Sequence, residues 1–142
     1  MAFAELSKKW FYQGYPCVIL YHEGNEPWTG PYYCGYVGLK EGNPYNGMEY
    51  DDIPVYCHGD LTYGRFYMQE GELSTDEFLD NGYYWIGFDC NHLYDSILSC
   101  DLEYVTAGCK QIVDQLVDLQ ERCELANKTI MWKDIDDYGT SE

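Results

Sequence analysis

Between residues 15 and 100 the chain alternates short apolar runs with stretches rich in glycine, proline and acidic residues. A single long apolar stripe follows. Cys17 to Tyr21 is an apolar run bounded by Pro16 and Gly24, the pattern of a buried strand. Tyr32 to Leu39 is a second such run, and Gly35 inside it points to a bulge or a close backbone approach. Val55 to His58 reads as a short strand ending at Gly59, with Leu61 to Tyr63 continuing as strand or turn. Tyr83 to Cys90 carries the strongest strand signal in the chain. Residues 5–13 start polar and turn aromatic at Trp10, Phe11 and Tyr12, which fits a short helix or an entry segment. Residues 24–31 and 41–54 read as loops, the second with an Asn46-Gly47 turn. The acidic stretch 69–82 has room for a helical turn around Thr75 to Leu79.

From Leu102 the apolar positions change period. Leu102, Val105, Cys109, Ile112, Leu116, Leu119, Cys123 and Ala126 are spaced alternately by three and four, a single stripe on one helix. Val113 and Val117 widen it, which suits packing on a sheet better than a narrow coiled-coil seam and leaves a homodimer interface as the alternative. Gly108 within the helix costs about 1 kcal/mol relative to alanine, and a close approach to the sheet is the expected reason. The fold class is therefore α+β: an antiparallel sheet of about four to six strands packed against one long C-terminal amphipathic helix. Residues 1–127 form a single domain, and 128–142 an acidic C-terminal tail expected to fray beyond Asp136.

The chain has 142 residues, enough for one domain with a real core. It carries 25 acids and 8 bases, a net charge of −17, which argues against gripping nucleic acid through its phosphates. The charge is concentrated in the middle. Residues 51–101 hold eleven acids and one base, Arg65, against a net of −2 for 1–50 and −5 for 102–142. A solvated face, a cation site and an imitation of nucleic acid all fit that concentration. Sixteen tyrosines suit a half-buried sheet or a binding surface equally well. The seven cysteines include no Cys-x-x-Cys pair, and Met1 to Trp10 has no apolar core or small-residue cleavage site. Reduced thiols in a cytoplasm are expected, with no membrane span.

Two segments concentrate polar side chains at strand ends: Cys57 to Tyr63 and Gly87 to Asp95. They contain two of the three histidines and offer His58, Asp60, Asp89, His92 and Asp95. Three chemistries fit. His58, Asp89 and His92 are candidates to hold a divalent metal, because imidazole with carboxylate suits Zn, Fe or Mn, and an open position would activate water. A His–Asp pair can do acid–base work without metal, which makes the same three residues the catalytic candidates. Cys90 with His58 or His92 would make a thiolate–imidazolium pair. A polar network tying two strand ends together explains the same residues without chemistry. Tyr36, Thr62, Tyr63, Trp85 and Asp95 are the candidates for binding a ligand. His22, beside Glu23, reads as a surface residue. No phosphate-binding glycine loop, Gly-x-Ser-x-Gly or His-Glu-x-x-His occurs.

Cys34-Gly35-Tyr36-Val37, His58-Gly59-Asp60-Leu61-Thr62-Tyr63 and Trp85-Ile86-Gly87-Phe88-Asp89-Cys90-Asn91-His92, with Asp95 nearby and Glu103-Tyr104-Val105 in the helix, resemble a family of small uncharacterised bacteriophage and prophage proteins. Its pattern reads CGYV, HGGLTY and WWIGFDCAH, and the resemblance spans residues 12–125. Asp60 stands where the pattern has a second glycine, and Tyr84 where it has the first tryptophan. The resemblance implies a phage accessory protein acting in the bacterial cytoplasm, and proteins of this kind often counter host defence. Three functions follow as expectations. The first is binding or degrading a nucleotide-type signal in the aromatic, His and Asp pocket, where tyrosine and tryptophan would stack a base. The second is an acidic inhibitor that blocks a host nucleic-acid-binding enzyme by direct contact. The third is a metal-dependent hydrolase. The cofactor expectation is limited to a divalent metal.

Overall fold

A computed structural model describes residues 4–24, 30–66, 78–92 and 95–140, with helix side chains described through Ala126. Five strands and one long helix make an α+β domain. The strands are β1 (Ala4–Tyr12), β2 (Tyr15–His22), β3 (Tyr32–Lys40), β4 (Tyr63–Phe66) and β5 (Tyr83–Asp89), and the helix is α1 (Leu102–Thr140). They form one sheet in the order β1-β2-β3-β5-β4 with every neighbouring pair antiparallel. Among the described residues no helix is long and apolar enough to cross a membrane.

The first segment is a strand, neither the short helix nor the entry segment expected. Tyr12 pairs with Tyr15 around a two-residue turn at Gln13 and Gly14, both with positive φ (49° and 83°), the geometry of a tight hairpin. Lys8, Trp10 and Tyr12 turn partly inward while Lys9 and Phe11 stay exposed, a period of two that the clustered aromatics obscure. A register shift between Leu6 and Lys8 marks a bulge in this edge strand.

The central strands are buried on both faces, which is why they read as continuous apolar runs. Cys17, Ile19, Val37, Leu39, Ile86 and Phe88 pack against Val105, Cys109, Ile112, Val113 and Leu116 of α1. Val18, Leu20, Cys34, Tyr36 and Trp85 form a second cluster with Leu79 on the other face. Gly35 keeps its place in the β3 ladder, so it marks close approach and not a bulge. A Cβ there would lie 2.7 Å from Phe88 Cε1, and one on Gly108 would lie 2.8 Å from Phe88 Cζ. Phe88 is thus held between β3 and α1, and the helical glycine has the reason expected of it.

Two expectations fail on local grounds. Val55 to His58 is not a strand. Its backbone is claimed by α1: the Gln115 carboxamide accepts from Tyr56 N–H at 2.7 Å and donates to Tyr56 C=O at 2.8 Å. The helix stripe is not buried along its whole length: Cys123 and Ala126 are exposed. Most of the acidic stretch around Thr75 lies outside the described residues.

All seven cysteines are free. Burial pushes the Cys17, Cys34 and Cys57 thiols up to about 12, so these are inert, protonated core groups.

Candidate functional site

Residues 53–62 leading into β4, the described residues 90–92 and 95–101 that follow β5, and the first turn of α1 meet through His58, Asp95 and Tyr104. The segment 53–62 is pinned by Gln115, by Ile53, Val55 and Leu61 inserted into the core, and by Thr62 N–H donating to Gly87 C=O at 2.9 Å. The second is pinned by its own turns. Asp95 N–H donates to His92 C=O at 2.9 Å, and His92 N–H donates back to Asp95 Oδ2 at 3.0 Å. Cys100 N–H donates to Ser96 C=O at 2.8 Å. Asp101 caps α1 by accepting from Tyr104 N–H at 2.9 Å.

His58 lies at the centre. Its Nε2 is 2.8 and 2.9 Å from the two Asp95 oxygens, and its Nδ1 is 2.9 Å from the Tyr104 hydroxyl. The acceptor-only carboxylate places a proton on Nε2, so in the neutral tautomer Nδ1 of His58 accepts from the Tyr104 O–H. Burial pushes the Asp95 carboxyl up. The hydrogen bonds from His58 and the His92 amide, with the two imidazole charges, outweigh that and hold it below the usual carboxylate value. The Tyr104 phenol is pushed up by burial and by the neighbouring Cys100, Cys90 and Asp95, so it keeps its proton and acts as a donor.

His92 stands beside His58 with ring centroids 5.7 Å apart, and its Nε2 is 3.4 Å from Asp89 Oδ1. The His92 ring rests on Gly59, where a Cβ would lie 2.7 Å from the His92 Cδ2 atom. Asp89 also accepts from Thr62 Oγ1 at 3.1 Å and from Asn91 N–H at 3.1 Å. Asp60 is exposed and follows Gly59 in a turn where both residues have left-handed φ, 65° and 66°. A glycine is the ordinary occupant of such a position and aspartate a tolerated one, so the departure at Asp60 is a backbone matter.

The expected site residues therefore divide. His58, Asp89, His92 and Asp95 come together with Thr62 alongside. Tyr36 and Tyr63 meet edge to face at 5.2 Å beside the other core cluster, and line a small hollow of about 150 Å³ with Cys34, Thr62, Phe88 and Asp89. Burial pushes the Tyr36 phenol far up. Trp85 is 0% exposed and donates its indole N–H to Asp80 C=O at 2.9 Å, so it offers no face for stacking a ligand. His22 is not the surface residue expected. It is half-buried and stacks on Tyr32 at 5.0 Å, and burial lowers its pKa against the opposing charge of Asp89.

The thiolate–imidazolium reading of Cys90 also fails. Cys90 is buried near His58, but burial and the adjacent Cys100 thiol drive its pKa upward, opposite to an activated nucleophile. Two residues at the site went unnoticed in the sequence: Tyr104 and Cys100. Tyr104 lies within the Glu103-Tyr104-Val105 motif, which was the available signal. Nothing marks Cys100 until the chain folds.

A hollow of about 290 Å³ adjoins the pair, lined by Tyr32, Cys90, Asn91, Asp95 and Leu98 among others. Among the described residues no lysine or arginine lines it. The chain matches no protein-family model, and no curated protein or solved structure matches it.

Proposed function

We propose that the Tyr104–His58–Asp95 group is the working centre of a small-ligand site at which the protein captures, or degrades, a nucleotide-type signal. The setting we propose, that of a phage protein countering host defence, follows from the motif resemblance. The observation that carries the reading is the use of both His58 ring nitrogens: Asp95 orients the imidazole, and Tyr104, 44% exposed, is the outward end of the chain of hydrogen bonds. A carboxylate that orients an imidazole raises its basicity, and the imidazole in turn polarises the phenol it accepts from. Tyr104 then has free oxygen lone pairs for a ligand donor, and a proton can pass between phenol and imidazole. The adjoining hollow, with Asp95 in its wall, has room for a base or a ribose. With no basic side chain in that wall, a phosphate group would have to lie on backbone N–H groups or a bound cation.

A thermal-shift panel of cyclic di- and trinucleotides and ADP-ribose isomers tests this. One class should stabilise the wild-type protein, with affinity falling at least about tenfold in Tyr104→Phe and His58→Gln, the loss of one hydrogen bond to a polarised group. No shift with any member of the panel refutes the reading.

A second reading, the acidic inhibitor of a basic host enzyme, has its own observation. A hollow of about 320 Å³ is lined by Tyr50, Asp51, Tyr56 and Asp60, and Tyr56 is 81% exposed. Carboxylates beside an exposed aromatic ring suit an arginine of a partner. Capture of a basic host protein that weakens steeply with salt, and is lost in Asp51→Asn/Asp60→Asn, would favour it. Capture indifferent to salt would exclude it.

A further inference from the structure

We infer that His58, Cys90 and Cys100 form a zinc site that staples the two irregular segments together beneath Tyr104. A ring nitrogen of His58 and the Sγ atoms of both cysteines all lie within 4.8 Å of one another. Among the described residues these are the donors that converge; the set read from the sequence, His58 with Asp89 and His92, does not. Cys100 Sγ is 3.8 Å from His58 Nε2, close to the ~3.6 Å that separates sulfur and nitrogen ligands on a tetrahedral zinc ion. Both cysteines are buried.

The donor chemistry selects the ion. Two thiols with an imidazole suit zinc and reject magnesium and calcium, which want oxygen. Asp95, 2.8 Å from His58 Nε2, lies outside the three-donor group and would have to move toward the sulfurs to fill the fourth position, which water can otherwise take. Binding requires Nε2 to lose its proton, so the imidazole proton moves to Nδ1, which then donates to the Tyr104 oxygen. Tyr104 thereby becomes the outer partner that orients a metal-bound histidine. Two thiolates and the Asp95 carboxylate against Zn²⁺ leave one negative charge. Among the described residues, 53–62, 90–92 and 95–101 have no strand assignment, and a metal crosslink between them would supply stability that backbone pairing does not. The inference shares His58, Asp95 and Tyr104 with the proposed ligand site, so the zinc-bound centre and the Asp95-oriented imidazole are two alternative states of one cluster, and Cys90 and Cys100 are the atoms that belong to the zinc state alone.

The test is cobalt substitution of the reduced, chelator-treated full chain, followed by metal analysis after zinc addition and desalting. The expected result is about one equivalent of metal per chain, with thiolate-to-cobalt charge-transfer absorption and intense tetrahedral visible bands. Cys90→Ser and Cys100→Ser should lose at least about tenfold in zinc affinity, while Cys123→Ser on the exposed helix retains it. Absence of thiolate-to-cobalt absorption in the wild type overturns the inference, as does unchanged affinity in both site variants. Should a variant unfold, native alkylation of the wild type decides: chelation should speed modification of Cys90 and Cys100 and leave Cys109 unaffected, and equal protection with and without chelator overturns it. Tyr104→Phe separates the two proposals, since it should still bind cobalt through thiolates even where nucleotide binding is lost.

Discussion

Replacing Gly108 by alanine sets two known effects against each other at one ring. Helix propensity alone favours the alanine by about 1 kcal/mol. Packing opposes it. The new methyl would stand 2.8 Å from Phe88 Cζ, whereas carbon pairs settle at ~3.5–4.0 Å, so the ring must retreat by roughly 0.7 Å or more. Its other side is closed by Gly35, where a Cβ would already lie 2.7 Å from Cε1, leaving the ring little room to yield. Overpacking of this kind costs about 1–3 kcal/mol, and a ring blocked on both sides belongs in the upper half of that range. After subtracting the propensity gain, Gly108→Ala should destabilise by about 1–2 kcal/mol and lower Tm by roughly 3–6 °C. Urea titration followed by circular dichroism measures it. The glycine replacement should cost less in a Phe88→Leu background, because the shorter side chain leaves space for the methyl. A Gly108→Ala protein more stable than wild type by about 1 kcal/mol would show propensity acting alone, and would refute the clamped ring. Phe88 directly precedes Asp89, so the same variant should also disturb the Asp89–His92 contact.

Gln115→Ala should cost about 1–2 kcal/mol and speed proteolysis near Tyr56, because two hydrogen bonds hold that backbone; unchanged cleavage there would count against the latch. Asp95 has a folded pKa below its unfolded value, so its contribution to stability is complete above about pH 4 and is lost as pH falls through the lowered folded value. Asp95→Asn should therefore be less stable than wild type at pH 7 by about 1–3 kcal/mol, with the gap closing in acid; a gap that persists at pH 2 would contradict the assignment. Gly59→Ala meets both a φ of +66° and the His92 ring, so it should cost at least about 1 kcal/mol and shift the His92 imidazole NMR signals, and unmoved signals would argue against the contact.

The strands that were legible in the sequence are those buried on both faces. β2, β3 and β5 read as apolar runs because neither face meets water, and α1 was legible because its buried face repeats every three to four residues. β1 was misread because an edge strand needs only one inward face, and its aromatics Trp10, Phe11 and Tyr12 stand consecutively. Val55 to His58 has strand-like residues but no strand to pair with, and a glutamine side chain sixty residues on takes up its backbone groups. Local pattern holds no information about such a partner.

The candidate site divides in the same way. Density of His and Asp at two strand ends located it, since glycine-flanked polar clusters at strand ends stand out in one dimension. Which of those groups meet was decided by the sheet order β1-β2-β3-β5-β4, which brings the segment before β4 beside the segment after β5. That juxtaposition selected Asp95 over Asp60 as the partner of His58, buried Trp85, and added Tyr104 and Cys100 from the approach to α1. The sequence by itself determined the fold class and the stretch of chain where chemistry concentrates, because burial periodicity and composition are local. Only the tertiary structure decided the hydrogen-bond partners and the converging donor set, because these depend on distances of a few ångströms between residues up to 46 positions apart.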